Sequence, residues 1–164
     1  MEGRITEEQV TKAILNWLES NGWEIICFDF PQSGTGVSLH PNQELRTTKN
    51  KGAFIPDIVA IKNEIVLFFE NKDRFVLGDF LKVQELKLTI NYTYSIKKLL
   101  SGYIFSKIYY GVGLSYTVRT EQKTSEQLDK IDFAIFSCSD SIIKVLFDPN
   151  LIFHNNIIEL KHLT

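Results

Sequence analysis

Two apolar runs separated by only two polar residues constrain the fold of this chain more than any other feature. Residues 54–62 and 65–72 are rich in β-branched and aromatic residues, and Asn63-Glu64 between them has the length of a tight turn. This spacing predicts a β-hairpin, although Asn-Glu is a poorer turn pair than Asn-Gly.

The register of this hairpin decides where its charged residues point. With a two-residue turn, Lys62 lies opposite Ile65, and counting back sets Asp57 opposite Glu70. Opposed residues of an antiparallel pair share a face, as do residues two apart in one strand, so Lys72 joins them. A shift of one residue would send Asp57 to the other face of the sheet.

Two acids and a lysine on one face have a chemical consequence. Neighbouring carboxylates repel each other unless a cation neutralises them, and Mg²⁺ binds one or two carboxylates together with water and phosphate oxygens. A lysine beside them stabilises negative charge on a phosphate or helps to deprotonate an attacking water. The set therefore has the parts for hydrolysing a phosphodiester.

The rest of the chain predicts one α/β domain over residues 1–164. Thr6 and Gln9 resemble a capping box at the start of a helix that ends at Asn21-Gly22. The other predicted elements are a strand at 23–30, helices at 77–91 and 94–102, a strand at 104–116, a polar loop at 117–124, a short helix near 125–130, a hairpin of 132–138 and 142–147, and a short helix at 155–163. The order α-β-β-β-α-α-β-α-β-β fits a mixed sheet flanked by helices.

Composition excludes several classes of protein. The chain has 164 residues, is 44% hydrophobic and carries a net charge of −2, as expected for one soluble domain. No apolar run has membrane-spanning length and no signal peptide is visible, so we expect a cytoplasmic protein without a membrane partner. Cys27 and Cys138 lie in apolar surroundings, which favours two reduced, buried thiols over a disulfide. Zinc-type Cys/His spacing and a phosphate-binding loop are both absent from the sequence.

Pro56-Asp57, twelve further residues and then Glu70-Asn71-Lys72 resemble the motif of the PD-(D/E)XK nuclease superfamily. Its members include type II restriction endonucleases, Holliday junction resolvases and repair nucleases. Glu-x-Lys occurs four times in the chain, but only the Glu70 copy ends an apolar β-type run and follows a Pro-Asp on a partner strand. The predicted element order matches the restriction-endonuclease-like α-β-β-β-α-β core of that superfamily.

The resemblance implies a role for each motif residue. Asp57 and Glu70 would bind Mg²⁺, with Mn²⁺ as an expected substitute. The backbone carbonyl of Asn71 would join the metal, and Lys72 would act on the attacking water.

Many members of the superfamily also place a Glu of the first helix near the site. Glu7 is the better candidate here, because it lies three residues before Val10 and seven before Ile14 on the inward-facing stripe. Glu8 is one step off that stripe.

Basic residues near the motif are candidates for DNA contacts. Arg46, Lys49 and Lys51 belong to a long polar connection, 31–53, that leads into the Asp57 strand, and a solvated loop is an equally good interpretation. Arg74 follows the motif and is a further candidate for a phosphate contact, with pairing to Asp79 or exposure to solvent as the favoured alternative.

The prediction is a Mg²⁺-dependent endonuclease of double-stranded DNA, of the type II restriction kind. One small domain that cuts both strands needs a second copy, which predicts a homodimer. A structure-selective nuclease such as a junction resolvase is the alternative, although a more basic charge would be expected of it. A non-catalytic binding or assembly domain of the same fold is another, and the charges would then only solvate strand ends. Residues 117–164 carry no recognised motif.

Overall fold

The computed structural model describes residues 5–30, 36–42 and 54–153. Its architecture is a six-stranded mixed sheet flanked by helices, which confirms the predicted α/β class. In chain order the elements are α1 (Glu7–Ser20), β1 (Glu24–Phe28), β2 (Ile58–Lys62), β3 (Ile65–Lys72), α2 (Leu77–Leu88), α3 (Thr93–Leu99), β4 (Lys107–Ser115), α4 (Val118–Ser125), a 3₁₀ turn (Leu128–Lys130), β5 (Phe133–Ser137) and β6 (Ile143–Phe147).

The strands lie side by side in the order β1-β2-β3-β4-β5-β6. The first three are antiparallel to one another, β3, β4 and β5 are parallel, and β6 returns antiparallel to β5. Parallel neighbours require crossover connections, which are provided here by α2 with α3 and by α4. The chain thus follows the predicted order α-β-β-β-α-α-β through β4, with α3 in the segment of the second predicted helix.

Helix α1 begins and ends where the sequence predicts. The backbone N–H of Gln9 donates to Thr6 Oγ1 at 3.2 Å, and the Thr6 N–H donates to Gln9 Oε1 at 2.8 Å, which completes a capping box. Val10 and Ile14 are fully buried. The helix therefore rests on the sheet through the predicted stripe.

Alternating residues of β3 divide the core into two layers. Leu67 and Phe69 pack with α1, whereas Val66 and Phe68 pack in a separate cluster with Leu86 of α2. Since side chains alternate between the faces of a strand, Glu70 and Lys72 belong to the α2 face.

The prediction of a polar loop at 117–124 is wrong, because α4 occupies that segment. Thr117 caps the helix through Thr120, and Thr120 and Thr124 form its buried side. Threonines in place of aliphatic residues hid the amphipathic pattern on which the prediction relied. The helix predicted near 125–130 reduces to the 3₁₀ turn, and the helix predicted at 155–163 lies outside the described residues.

The strand predicted at 54–62 begins only at Ile58. Phe54 forms an isolated bridge with Leu39, and Pro56, which has no N–H to donate, separates this bridge from β2.

Two further features bear on the sequence predictions. Cys27 and Cys138 are free thiols, as predicted, but both are half-buried rather than buried. Among the described residues, no helix is both long and apolar enough to cross a membrane.

Candidate active site

The turn between β2 and β3 fixes the position of the candidate site. Asn63 and Glu64 have φ values of 50° and 66°, the left-handed pair that a two-residue type I′ turn requires. Lys62 pairs with Ile65, which confirms the predicted register.

Asp57 lies immediately beyond the last β2–β3 pair, Ile58 with Phe69. Its N–H donates to the Phe69 carbonyl at 2.9 Å, and its Oδ2 accepts the N–H of Asn71 at 2.6 Å. These two bonds hold the Asp57 carboxylate beside the end of β3, where Glu70 lies.

Glu70 is a carboxylate without a matching donor. Its Oε2 is buried and has no hydrogen-bond partner among the residues that the structure describes. Burial raises the pKa of Glu70 to about 9, and the charges of Asp57 and Asp79 add to this rise. An ionised carboxylate at this position therefore requires a cation.

The pKa of Asp57 is raised as well, to about 7, and again burial is the main cause. The hydrogen bond from Asn71 opposes this rise, while the charges of Glu7 and Asp29 reinforce it. Two adjacent acids that both resist ionisation form the electrostatic pattern typical of a cation site without its cation.

Lys72 lies between acids from two helices. Its Nζ is 3.4 Å from Glu7 Oε1, and each of these side chains is about a quarter exposed (26% and 27%). Burial lowers the pKa of Lys72, but the charges of Asp79, Glu7 and Glu70 outweigh burial and raise that pKa above its usual value. Lys72 is therefore a cation in the metal-free protein, as the stabilisation of negative charge requires.

The structure also separates the two candidate acids of α1. Glu7 reaches Lys72, whereas Glu8 is exposed and pairs with Lys12 at 3.4 Å on the helix surface. The geometry thus brings Glu7, and not Glu8, to the motif residues.

The side chain of Asn71 points away from this cluster. It is fully buried, and its Nδ2 donates to Thr11 Oγ1 of α1 at 3.1 Å. Any contact of Asn71 with a metal would therefore use its backbone carbonyl, which is the role that the resemblance implies. The side chain instead ties the end of β3 to α1.

Sequence reasoning did not place three charged residues that the structure brings to the site. Asp79 raises the pKa of Glu70, and Lys82, from the same helix, lowers it. Asp29 follows β1, donates its N–H to the Asp57 carbonyl at 2.9 Å and accepts the Gly36 N–H at 3.0 Å. An acid in the first turn of a helix is ordinary because it suits the helix dipole, so Asp79 carried no distinctive signal.

Of the four residues predicted to contact DNA, the structure describes Arg74. Arg46, Lys49 and Lys51 lie outside the described residues. Arg74 is exposed, as the solvent alternative requires, and its ion pair at 2.8 Å is with Asp73 rather than with Asp79.

The residues present fit a hard divalent cation. Mg²⁺ takes oxygen ligands, retains several waters and needs one or two carboxylates, and Asp57 with the unpartnered Glu70 oxygen meets that requirement. Within the described ranges, no group of three or more His, Cys, Asp or Glu side chains is arranged to hold a metal ion. A metal at this site would consequently need water and substrate oxygens to complete its coordination.

Comparison with known proteins adds no assignment. No protein-family model matches the chain, and no curated protein matches it.

Proposed function

We propose that this chain is a Mg²⁺-dependent endodeoxyribonuclease of the PD-(D/E)XK type, and within that superfamily a type II-like restriction endonuclease. The observation that carries the proposal is the half-buried Asp57–Glu70 pair at adjacent strand ends, with an unpartnered buried Glu70 oxygen and a charged Lys72 two residues away. Mn²⁺ is expected to replace Mg²⁺.

Each residue has a distinct task in this proposal. Asp57 and Glu70 would hold the metal, with the Asn71 carbonyl as a further ligand. A bound Mg²⁺ would supply Lewis-acid polarisation of the phosphate and a more acidic water. Lys72 would stabilise the negative charge that develops on the phosphate oxygens, and Glu7 would restrain the Lys72 ammonium group through its 3.4 Å contact.

The proposed substrate is double-stranded DNA, and the proposed assembly is a cytoplasmic homodimer. The described residues hold one cluster of this kind, which supports the dimer, because cutting both strands of a duplex then requires two copies. Arg74, which is exposed beside the motif, is proposed to contact phosphates together with Arg46, Lys49 and Lys51.

The test is cleavage of supercoiled, linear, branched and single-stranded DNA with Mg²⁺ or Mn²⁺ by the wild type, Lys72→Ala and Lys144→Ala. Lys144 is the matched control, since it also contacts a glutamate, Glu121, at 2.7 Å but belongs to β6. We expect discrete duplex fragments from the wild type and Lys144→Ala, and none from Lys72→Ala.

Other results select other functions. Cleavage of branched DNA alone would favour the structure-selective nuclease, and equal activity of the two lysine variants would remove Lys72 from the mechanism. If no DNA is cut with either metal, the proposal fails and the binding or assembly domain is favoured.

A further inference from the structure

Asp79 is a deeply buried acid that the proposed mechanism does not use. It lies in the first turn of α2, is 5% exposed, and its Oδ2 is buried without a hydrogen-bond partner in the part of the chain that the structure describes. A carboxylate buried in this way is costly unless a cation or a donor approaches it.

The packing of α2 shows which cation can do so. Phe80, the residue after Asp79, belongs to the same apolar cluster as Leu114 of β4. The β3–β4 register pairs Leu114 with Lys72, so their side chains are lateral neighbours on one face of the sheet. The first turn of α2 therefore covers the strand end from which Lys72 projects.

The ion pair of Lys72 with Glu7 leaves the ammonium group able to interact with a second carboxylate. Its contact with Glu7 is long, at 3.4 Å, and partly exposed. The charge of Asp79 raises the pKa of Lys72, as do the charge and the hydrogen bond of Glu7. The charge of Lys72, in turn, is the strongest influence that opposes the rise in the pKa of Asp79 caused by burial.

We propose that Asp79 is a positioning residue for Lys72: its buried carboxylate, which forms no direct ion pair with Lys72 in the structure, attracts the ammonium group from α2, opposite Glu7 on α1. This inference deepens the proposed function, on which it rests, because the position of Lys72 matters for the reaction only if Lys72 acts on the phosphate. A rigidly held ammonium group stabilises developing charge without reorganising during the reaction.

The matched control is Asp132, which directly precedes β5 and contacts the C-terminal end of α2. Asp132 binds Lys87, in the last turn of α2, at 2.7 Å and accepts the Tyr110 N–H at 2.9 Å. Asp132→Asn therefore removes a half-buried carboxylate that binds a lysine of α2, the helix that also carries Asp79, at a position away from the motif.

The kinetic test compares Asp79→Asn, Asp79→Glu and Asp132→Asn on plasmid DNA. We expect Asp79→Asn to lower kcat about 10²-fold, the size of a misplaced catalytic group, with KM and the Mg²⁺ requirement unchanged. Asp79→Glu should recover part of this loss, and Asp132→Asn should keep the wild-type kcat. A wild-type kcat in both Asp79 variants would overturn the inference, and so would a raised Mg²⁺ requirement, which would mark Asp79 as a metal ligand.

The second test uses metal-free protein without DNA, so it stands even if no substrate is cleaved. A lysine ammonium group held by a carboxylate exchanges its protons slowly and gives a ¹H–¹⁵N cross-peak, which Lys72→Arg assigns. We expect the peak in the wild type, Asp132→Asn and Asp79→Glu, and its loss in Asp79→Asn. Its absence from the wild type, or its persistence in Asp79→Asn, would overturn the inference. If Asp79→Asn does not fold, Asp79→Ala takes its place in the same comparison.

Discussion

Two clusters of polar residues, one around Glu121 and one around Asp57 and Glu70, shift the pKa values of their carboxylates in opposite directions. Glu121 of α4 accepts a hydrogen bond from Lys144 at 2.7 Å and another from the Tyr116 hydroxyl at 3.1 Å, and the contact with Lys144 is the main reason why the pKa of Glu121 is lowered. Asp57 and Glu70 are half-buried, lie near each other's charge and have raised pKa values.

The difference separates a structural ion pair from a candidate binding site. Glu121 has its own cation and donor, so nothing further is needed to keep it ionised. Glu70 has a lysine two residues away, but this lysine contacts Glu7, and Glu70 keeps an unpartnered buried oxygen. An excess of buried acid over donors is costly for folding and favourable for holding a cation, as is typical of functional sites.

The largest expected effect is the loss of catalysis in Asp57→Asn. We expect DNA cleavage to fall by at least about 10³-fold, because a lost metal ligand removes several kcal/mol of transition-state stabilisation. Glu121→Gln should cleave like the wild type. Initial rates on plasmid DNA measure both, and an Asp57→Asn rate within tenfold of the wild type would remove the distinction between the clusters.

Stabilisation by metal should distinguish the clusters without a substrate. At 100 times its Kd, Mg²⁺ should stabilise the wild type by about 2.7 kcal/mol, which raises Tm by about 5–10 °C for a chain of this size. Glu70→Gln should lose this shift and Glu121→Gln should keep it. The increase in Tm is measured by thermal unfolding followed by circular dichroism, with EDTA as the metal-free reference. An equal increase in Glu70→Gln would show that any bound Mg²⁺ lies elsewhere.

The pH dependence of the metal-free protein should have opposite signs at the two clusters. The pKa values of Asp57 and Glu70, about 7 and about 9, lie above their unfolded values, so their stabilising contribution is complete below about pH 4. It is lost as the pH rises through those folded-state values. At Glu121 the pKa is lowered, so its stabilising contribution is present at neutral pH and is lost on acidification.

Urea denaturation in EDTA at pH 5, 7 and 9 tests this prediction. Unfolding free energy should fall from pH 5 to pH 9 in the wild type and fall less in Glu70→Gln. A wild-type free energy that rises over that range would contradict the raised pKa values.

The smallest effect should come from breaking the Glu121 ion pair. Both partners are near the surface, where solvent and salt screen their interaction, so Glu121→Gln should change Tm by no more than about 2 °C. Thermal unfolding in low and high salt is the measurement. A larger drop that persists in high salt would show that Glu121 contributes through packing rather than charge.

Local patterns predicted the elements whose stabilising contacts are close in sequence. The Thr6–Gln9 capping box and the Val10–Ile14 stripe located α1, and the two-residue spacing at Asn63-Glu64 gave the hairpin its register. Helix α4 was missed because its buried face is made of threonines, whose burial depends on what packs against them.

The candidate site was predictable where it lies on one hairpin and unpredictable where it depends on packing between distant segments. Because side chains alternate along a strand and pair across a turn, the sequence by itself determined that Asp57, Glu70 and Lys72 share one end and one face. That Asp79 is buried beside them, that Glu7 rather than Glu8 contacts Lys72, and that Asn71 turns to Thr11 was decided by the docking of α1 and α2 onto the sheet. Burial and the distances between charges set these contacts, and both exist only once the layers have packed.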